Sequence, residues 1–130
     1  MPDKPPTANQ ITAELLLKIP RAIPNVWVWR NNRIDAKAVG RNGKMRHVSA
    51  GINGQGDLSG MATIDMFTST GARKKVAVRV ELEVKSHNDH IRLSQEAFGG
   101  KVKSMGGIYL IVSDPEQGIA DLREELCQLS

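Results

Sequence analysis

Residues 76–86 read VAVRVELEVKS, and this stretch decides the architecture. Val76, Val78, Val80, Leu82 and Val84 occupy alternate positions, with Arg79, Glu81, Glu83 and Lys85 between them. Successive side chains on a strand point to opposite faces, so the segment is a strand with one apolar and one charged face. A polar loop (residues 87–91) follows it. A helix is expected from about Ser94 to Met105, where Gly106 and Gly107 end it. Ile108 to Val112 is a short apolar strand, and Pro115 then opens an amphipathic helix. Ile119, Leu122, Leu126 and Leu129 share the inward side of that helix.

Upstream, Thr7 or Asn9 caps a helix reaching about Lys18, with Ile11, Leu15 and Ile19 as its buried stripe. Pro20 and Pro24 are expected to break the chain. Asn25 to Arg30, NVWVWR, is rich enough in β-branched and aromatic residues to be a strand. Residues 31–56 read mostly as loop, with a short strand from Met45 to Ser49 able to pair with the next one, Asp57 to Thr63. Thr68 to Lys75 reads as a turn. The expected class is α/β, a central mixed sheet flanked by helices in the order α-β-β-β-α-β-α, the Met45–Ser49 strand being an optional addition. Residues 1–8, rich in proline, form a flexible lead, and residues 9–130 one domain.

Hydrophobic content of 40% and charged content of 25% fit a globular chain, whose aromatic content of 4% leaves the core to aliphatic side chains. No apolar run approaches the ~20 residues that cross a bilayer, so no membrane partner is expected. MPDKPPTANQ lacks the apolar centre of a secretory signal, and Cys127 has no second cysteine to pair with, which favours a reducing interior. The net charge is +4, unevenly spread. Arg30, Arg33, Lys37, Arg41, Lys44 and Arg46 crowd the middle, Arg73, Lys74, Lys75 and Arg79 form a second group, and the tail is acidic. That asymmetry suits a polyanion on one face, although solvated loop charges would look the same.

The chemistry concentrates in Glu83 and Lys85. Side chains two apart on a strand lie ~6–7 Å from each other on one side. Glu83 can hold a hard divalent cation, the carbonyl of Val84 can add a ligand, and Lys85 can hold water or neutralise a phosphoryl oxygen. An isolated E-x-K is most often a solvated strand face. Asp57 changes that balance, because it stands in the glycine-rich GQGDLSG and can bring a second carboxylate from a neighbouring strand. Glu81 shares the face of Glu83 and reads first as a partner for Arg79 or Lys85, with an accessory metal ligand as the alternative. His87, Asp89 and His90 lack the companions of a tetrahedral zinc site, and His47 reads as a phosphate neighbour.

The succession VWRNN, GQGDLSGM, VELEVKS, LSQEAF and GGIYLIVSD resembles the VRR-NUC family of the PD-(D/E)XK nuclease superfamily over roughly residues 10–113. The resemblance implies a restriction-endonuclease-like core and a Mg2+-dependent nuclease, with Mn2+ able to substitute. By it, Asp57 and Glu83 are metal-binding carboxylates, Lys85 completes the E-x-K, and Gln95 orders the catalytic centre from the following helix. Glu14 matches a first-helix glutamate that faces the metal, and Arg30 and Asn31 a stretch that meets the DNA backbone. Arg33, Arg41, Lys44, Arg46, Lys74 and Lys75 are expected to hold phosphates without reading bases. Likeness to small stand-alone phage members implies a homodimer that cuts branched DNA such as a Holliday junction, in replication, recombination or repair, within the cytoplasm of a bacterial host. The alternative is a DNA-binding protein that keeps the fold without cleaving. Three departures stand out: Gly56 replaces the family's usual proline, the segment between Asp57 and Glu83 is long, and the loop before Gln95 is short.

Overall fold

A computed structural model describes residues 4–31, 34–50 and 54–129. The first helix, α1 (Ala8–Ala22), starts at Thr7, whose hydroxyl accepts from the Gln10 amide while the Gln10 side chain accepts from the Thr7 amide. Pro20 lies inside the last turn and does not break the helix as expected. The reason is local: the Ile23 N–H still reaches the Ile19 carbonyl at 2.8 Å, a bond that does not use the proline nitrogen.

Six strands follow the helix or alternate with two more helices: β1 (Val26–Arg30), β2 (Ile34–Val39), β3 (Met45–Ala50), β4 (Leu58–Phe67), β5 (Arg73–Val84), α2 (Leu93–Ser104), β6 (Ile108–Val112) and α3 (Pro115–Leu129). The main sheet has the order β1-β4-β5-β6, antiparallel except for the parallel pair β5–β6. The expected mixed sheet with flanking helices is present, but among the described residues the order α-β-β-β-α-β-α is corrected to three helices and six strands.

One misreading accounts for the difference, and a second misplaced the bounds of two strands. The Met45–Ser49 strand does not join the next strand; it pairs with Ile34–Val39, read as loop, in a separate two-stranded sheet. The turn is built on Asn42-Gly43, where Gly43 takes φ +75 and the Gly40 N–H bonds the Lys44 carbonyl. Likewise the expected Thr68–Lys75 turn contracts to residues 68–72, closed by the Thr68 N–H on the Ala72 carbonyl. Lys74 and Lys75 therefore belong to the ladder, opposite Met66 and Asp65.

Register then sorts the side chains. Val26, Leu58, Ala62, Val78, Val80, Leu82, Val84, Ile108 and Val112 form one buried layer with Ile11, Leu15 and Ile19 of α1 and Ile119, Leu122 and Leu126 of α3. Fully burying one such side chain is worth about 1.5–3 kcal/mol. The opposite face carries Trp27, Trp29, Ser59, Met61, Arg79, Glu81, Glu83 and Tyr109. Helix α2 packs there, so closely that a Cβ on Gly99 would lie 2.5 Å from the Tyr109 ring. The polar face of β5 is thus roofed near its C-terminal end, and Glu81 and Glu83 are buried at 0% and 4% exposure.

Candidate functional site

Asp57 stands one residue ahead of β4, in a loop that glycines allow to lie on its neighbours. A Cβ at Gly56 would sit 2.8 Å from the Leu82 carbonyl oxygen and 3.1 Å from Glu81 Oε2. Having no side chain at Gly56 is what lets the loop seat against β5. Asn31 ties the same loop down: its amide donates to the Asp57 carbonyl at 2.9 Å and its Nδ2 donates to the Gly56 carbonyl at 2.8 Å. The Asp57 carboxylate itself accepts from the Val84 N–H at 2.7 Å. In an antiparallel pair a residue turns its N–H and C=O to the same neighbour, so the Val84 carbonyl faces the Asp57 side as well.

Glu83 lies beside Asp57. Its Oε1 accepts from Gln95 Nε2 and pairs with Lys85 Nζ at 3.3 Å. Its Oε2 is buried and has no hydrogen-bond partner among the described residues. Burial pushes the Glu83 carboxyl up from its ordinary 4.5 to about 7, the Asp57 charge adds to the push, and Lys85 offsets part of it. Gln95 has two tasks, since its Oε1 accepts from the Arg92 amide at 2.9 Å and so holds the first turn of α2. The local cap and the contact with Glu83 are made by opposite ends of one amide.

Glu81 belongs to an adjoining network. Its Oε1 accepts from Ser59 Oγ at 2.7 Å and from Arg79 Nε and Nη2 at 2.8 and 2.6 Å. Ser59 in turn accepts from Asn31 Nδ2 and Gln55 Nε2. Glu81 is therefore the structural partner of Arg79 that the sequence favoured, although its Oε2 is also without a partner. Tyr109 faces the same acids: burial first, then the charges of Glu83, Asp57 and Glu81, raise its hydroxyl to about 12, so it remains a donor. Sequence reading missed Tyr109, Ser59 and the positioning role of Asn31. Only the alternation of IYLIV could have pointed to Tyr109, by opposing it to the buried Ile108.

The sequence-derived set divides. Asp57, Glu83, Val84, Lys85 and Gln95 come together. Glu14 does not join them in any described contact; it pairs with Lys18 at 3.4 Å on the exposed side of α1. Asn31 is committed to the Asp57 loop rather than held out to a ligand. Arg30 is exposed and shares its register with Leu58, on the face opposite the carboxylates. Arg41, Lys44 and Arg46 are exposed on the β2–β3 hairpin. Lys74 and Lys75 are exposed on β5, and eight rises of ~3.3 Å put Lys75 roughly 26 Å from Glu83. Arg33 lies outside the described residues.

Among the described residues no three His, Cys, Asp or Glu side chains gather as a ready ligand set. The donor set at the site is two carboxylates and a main-chain carbonyl. It still suits a cation: two acids repel each other, one is held partly protonated by burial, and one buried oxygen lacks a donor. No helix among the described residues is long and apolar enough to cross a membrane. Compared with known families and with curated proteins, the chain matches none of them.

Proposed function

We propose that this chain is a Mg2+-dependent nuclease that hydrolyses phosphodiester bonds in DNA, on a restriction-endonuclease-like core of the VRR-NUC type. The observation that carries the reading is Glu83: a buried carboxylate with one oxygen unpartnered, set against Asp57 and beside the Lys85 ammonium. A solvated strand face would leave Glu83 in water, with its carboxyl at its ordinary value. The order of motifs that resembles the VRR-NUC family supports the same conclusion.

Asp57, Glu83 and the Val84 carbonyl are the groups that would hold the cation, and Mn2+ would fit the same oxygens. When bound, magnesium supplies an acidified water and neutralises charge on the phosphate. The chain does the positioning. The Val84 amide fixes the Asp57 carboxylate, and Gln95 fixes Glu83 from the side of α2. Lys85, 12% exposed, keeps its ammonium at the mouth of the site, where it orients the attacking water or offsets charge on a non-bridging oxygen. Exposed cations on the hairpin, Arg41, Lys44 and Arg46, add sequence-independent attraction to phosphates that weakens steeply with salt.

The substrate proposed is branched DNA, cut by a homodimer, since a four-way junction needs two coordinated cuts. The test incubates the wild type and Lys85→Ala with linear, flap and four-way DNA, with magnesium or with chelator. Metal-dependent cutting by the wild type and its loss in Lys85→Ala are expected. No cutting of any substrate by the wild type would leave a DNA-binding protein without catalysis. A monomer by gel filtration that ignores junctions would remove the resolvase part.

A further inference from the structure

The carboxylate face is roofed by α2 only over β5 and β6. Among the described residues, its other half carries two indoles on β1, Trp27 exposed and Trp29 half-buried. Trp27 is 64% exposed, and its ring lies 4.8 Å from that of Trp29, tilted by 57°. That tilt keeps the two indoles from covering each other face to face. Both stand on the sheet face that carries the acids, because Val26 and Val28 take the core side. Trp29 is level with Ser59 and Glu81, and Trp27 is level with Met61 and Arg79. At ~4.8 Å between strands, β1 lies roughly 10 Å from β5, so the aromatic pair borders the site.

The placement runs against the economy of the chain. Aromatics make up only 4% of the residues, yet both tryptophans sit on an edge strand outside the core. On the same face stands the Arg79 guanidinium, 47% exposed and paired with Glu81, whereas Arg30 lies at the end of β1 on the opposite face. An exposed indole with a guanidinium on the same face matches one ligand chemistry well, a base free to stack. A base inside a duplex has no free face to offer.

We infer that Trp27 and Trp29 form a stacking platform for unpaired DNA bases, holding a single-stranded segment beside the Asp57–Glu83 pair. The inference deepens the nuclease reading by naming the feature of branched DNA that is recognised, the unpaired nucleotides at its junction or flap.

The test can be kept independent of cleavage. These are the chain's only tryptophans, so intrinsic fluorescence reports on this patch alone. Titrating the protein with oligothymidylate in chelator should quench the emission. Trp27→Ala should weaken single-strand binding about tenfold, shrinking the ratio of single-strand to duplex affinity, while Trp27→Phe recovers most of that ratio. Melting temperatures check that each variant folds. Absence of quenching, or an affinity ratio unmoved by Trp27→Ala, overturns the platform. So does emission that shifts with protein concentration alone, which would mark edge strand β1 as a contact between two copies. If quenching occurs and no DNA is cut, the platform stands and the nuclease reading fails.

Discussion

Two arginines on β5 each meet a carboxylate at 2.6 Å, yet they belong to different physical regimes. At the turn end of the β4–β5 ladder, Arg73 and Asp65 are 66% and 38% exposed. Nearer the site, Arg79 is 47% exposed and Glu81 not at all. Each exposed partner at the turn shifts the other's titration, Asp65 downward and Arg73 upward through their hydrogen bond, but water can replace either one. Glu81 has no such recourse. It is satisfied by Ser59 and Arg79 or not at all. Glu83, two residues on, carries the same enclosure further, with one oxygen left unpartnered. Equal distances thus conceal unequal dependence, and enclosure is what separates the two.

The strongest way to break this contrast is at Lys85. Lys85→Ala should lower single-turnover cleavage of a labelled junction by about 10²–10³-fold, as loss of a preorganised charge does, whereas Asp65→Asn leaves that rate alone. Equal rates for wild type and Lys85→Ala would remove Lys85 from the mechanism.

The pH dependence of stability sharpens the contrast next. The folded Glu83 carboxyl titrates near 7 against an ordinary 4.5, so the native state holds its proton more firmly than the unfolded chain. Stability from this group is fully present below about 4.5 and is lost as pH rises through about 7. The loss amounts to roughly 3 kcal/mol. Urea denaturation at pH 5 and pH 8 without divalent metal should show it. Glu83→Gln should flatten the slope and raise stability at pH 8 while removing cleavage, and magnesium should restore part of the loss in the wild type.

Arg79→Ala should cost about 2–3 kcal/mol, below the usual figure for a fully buried pair because solvent can enter the half-exposed place it leaves. Asp65→Asn is the smallest effect, with no measurable change in melting temperature expected. A large shift there would erase the distinction between the two ends of the ladder.

Much of the frame was legible beforehand. Alternation in residues 76–86 assigns the faces of β5 correctly, and the Thr7 cap and the inward stripes of both long helices follow from residue type and spacing, except that Leu129, expected inward, is 42% exposed at the end of α3. The β2–β3 hairpin was also within reach, since Asn42-Gly43 is a strong local turn signal that was passed over among many glycines. Pro20 misled because a proline near a helix end removes a hydrogen bond that the final turn can do without.

Local pattern, then, determined which residues of β5 could be apolar and which could carry charge, because alternation is a property of the strand itself. It could not determine that the charged side would be covered. That depended on Gly99 admitting the Tyr109 ring beneath α2, and on Gly56 seating a loop against Leu82. Gln95 reaches Glu83, and the Val84 amide reaches Asp57, across 12 and 27 residues of chain. Such meetings are set by the register of strands and the docking of a helix, which burial of the whole core decides and no short stretch of sequence encodes.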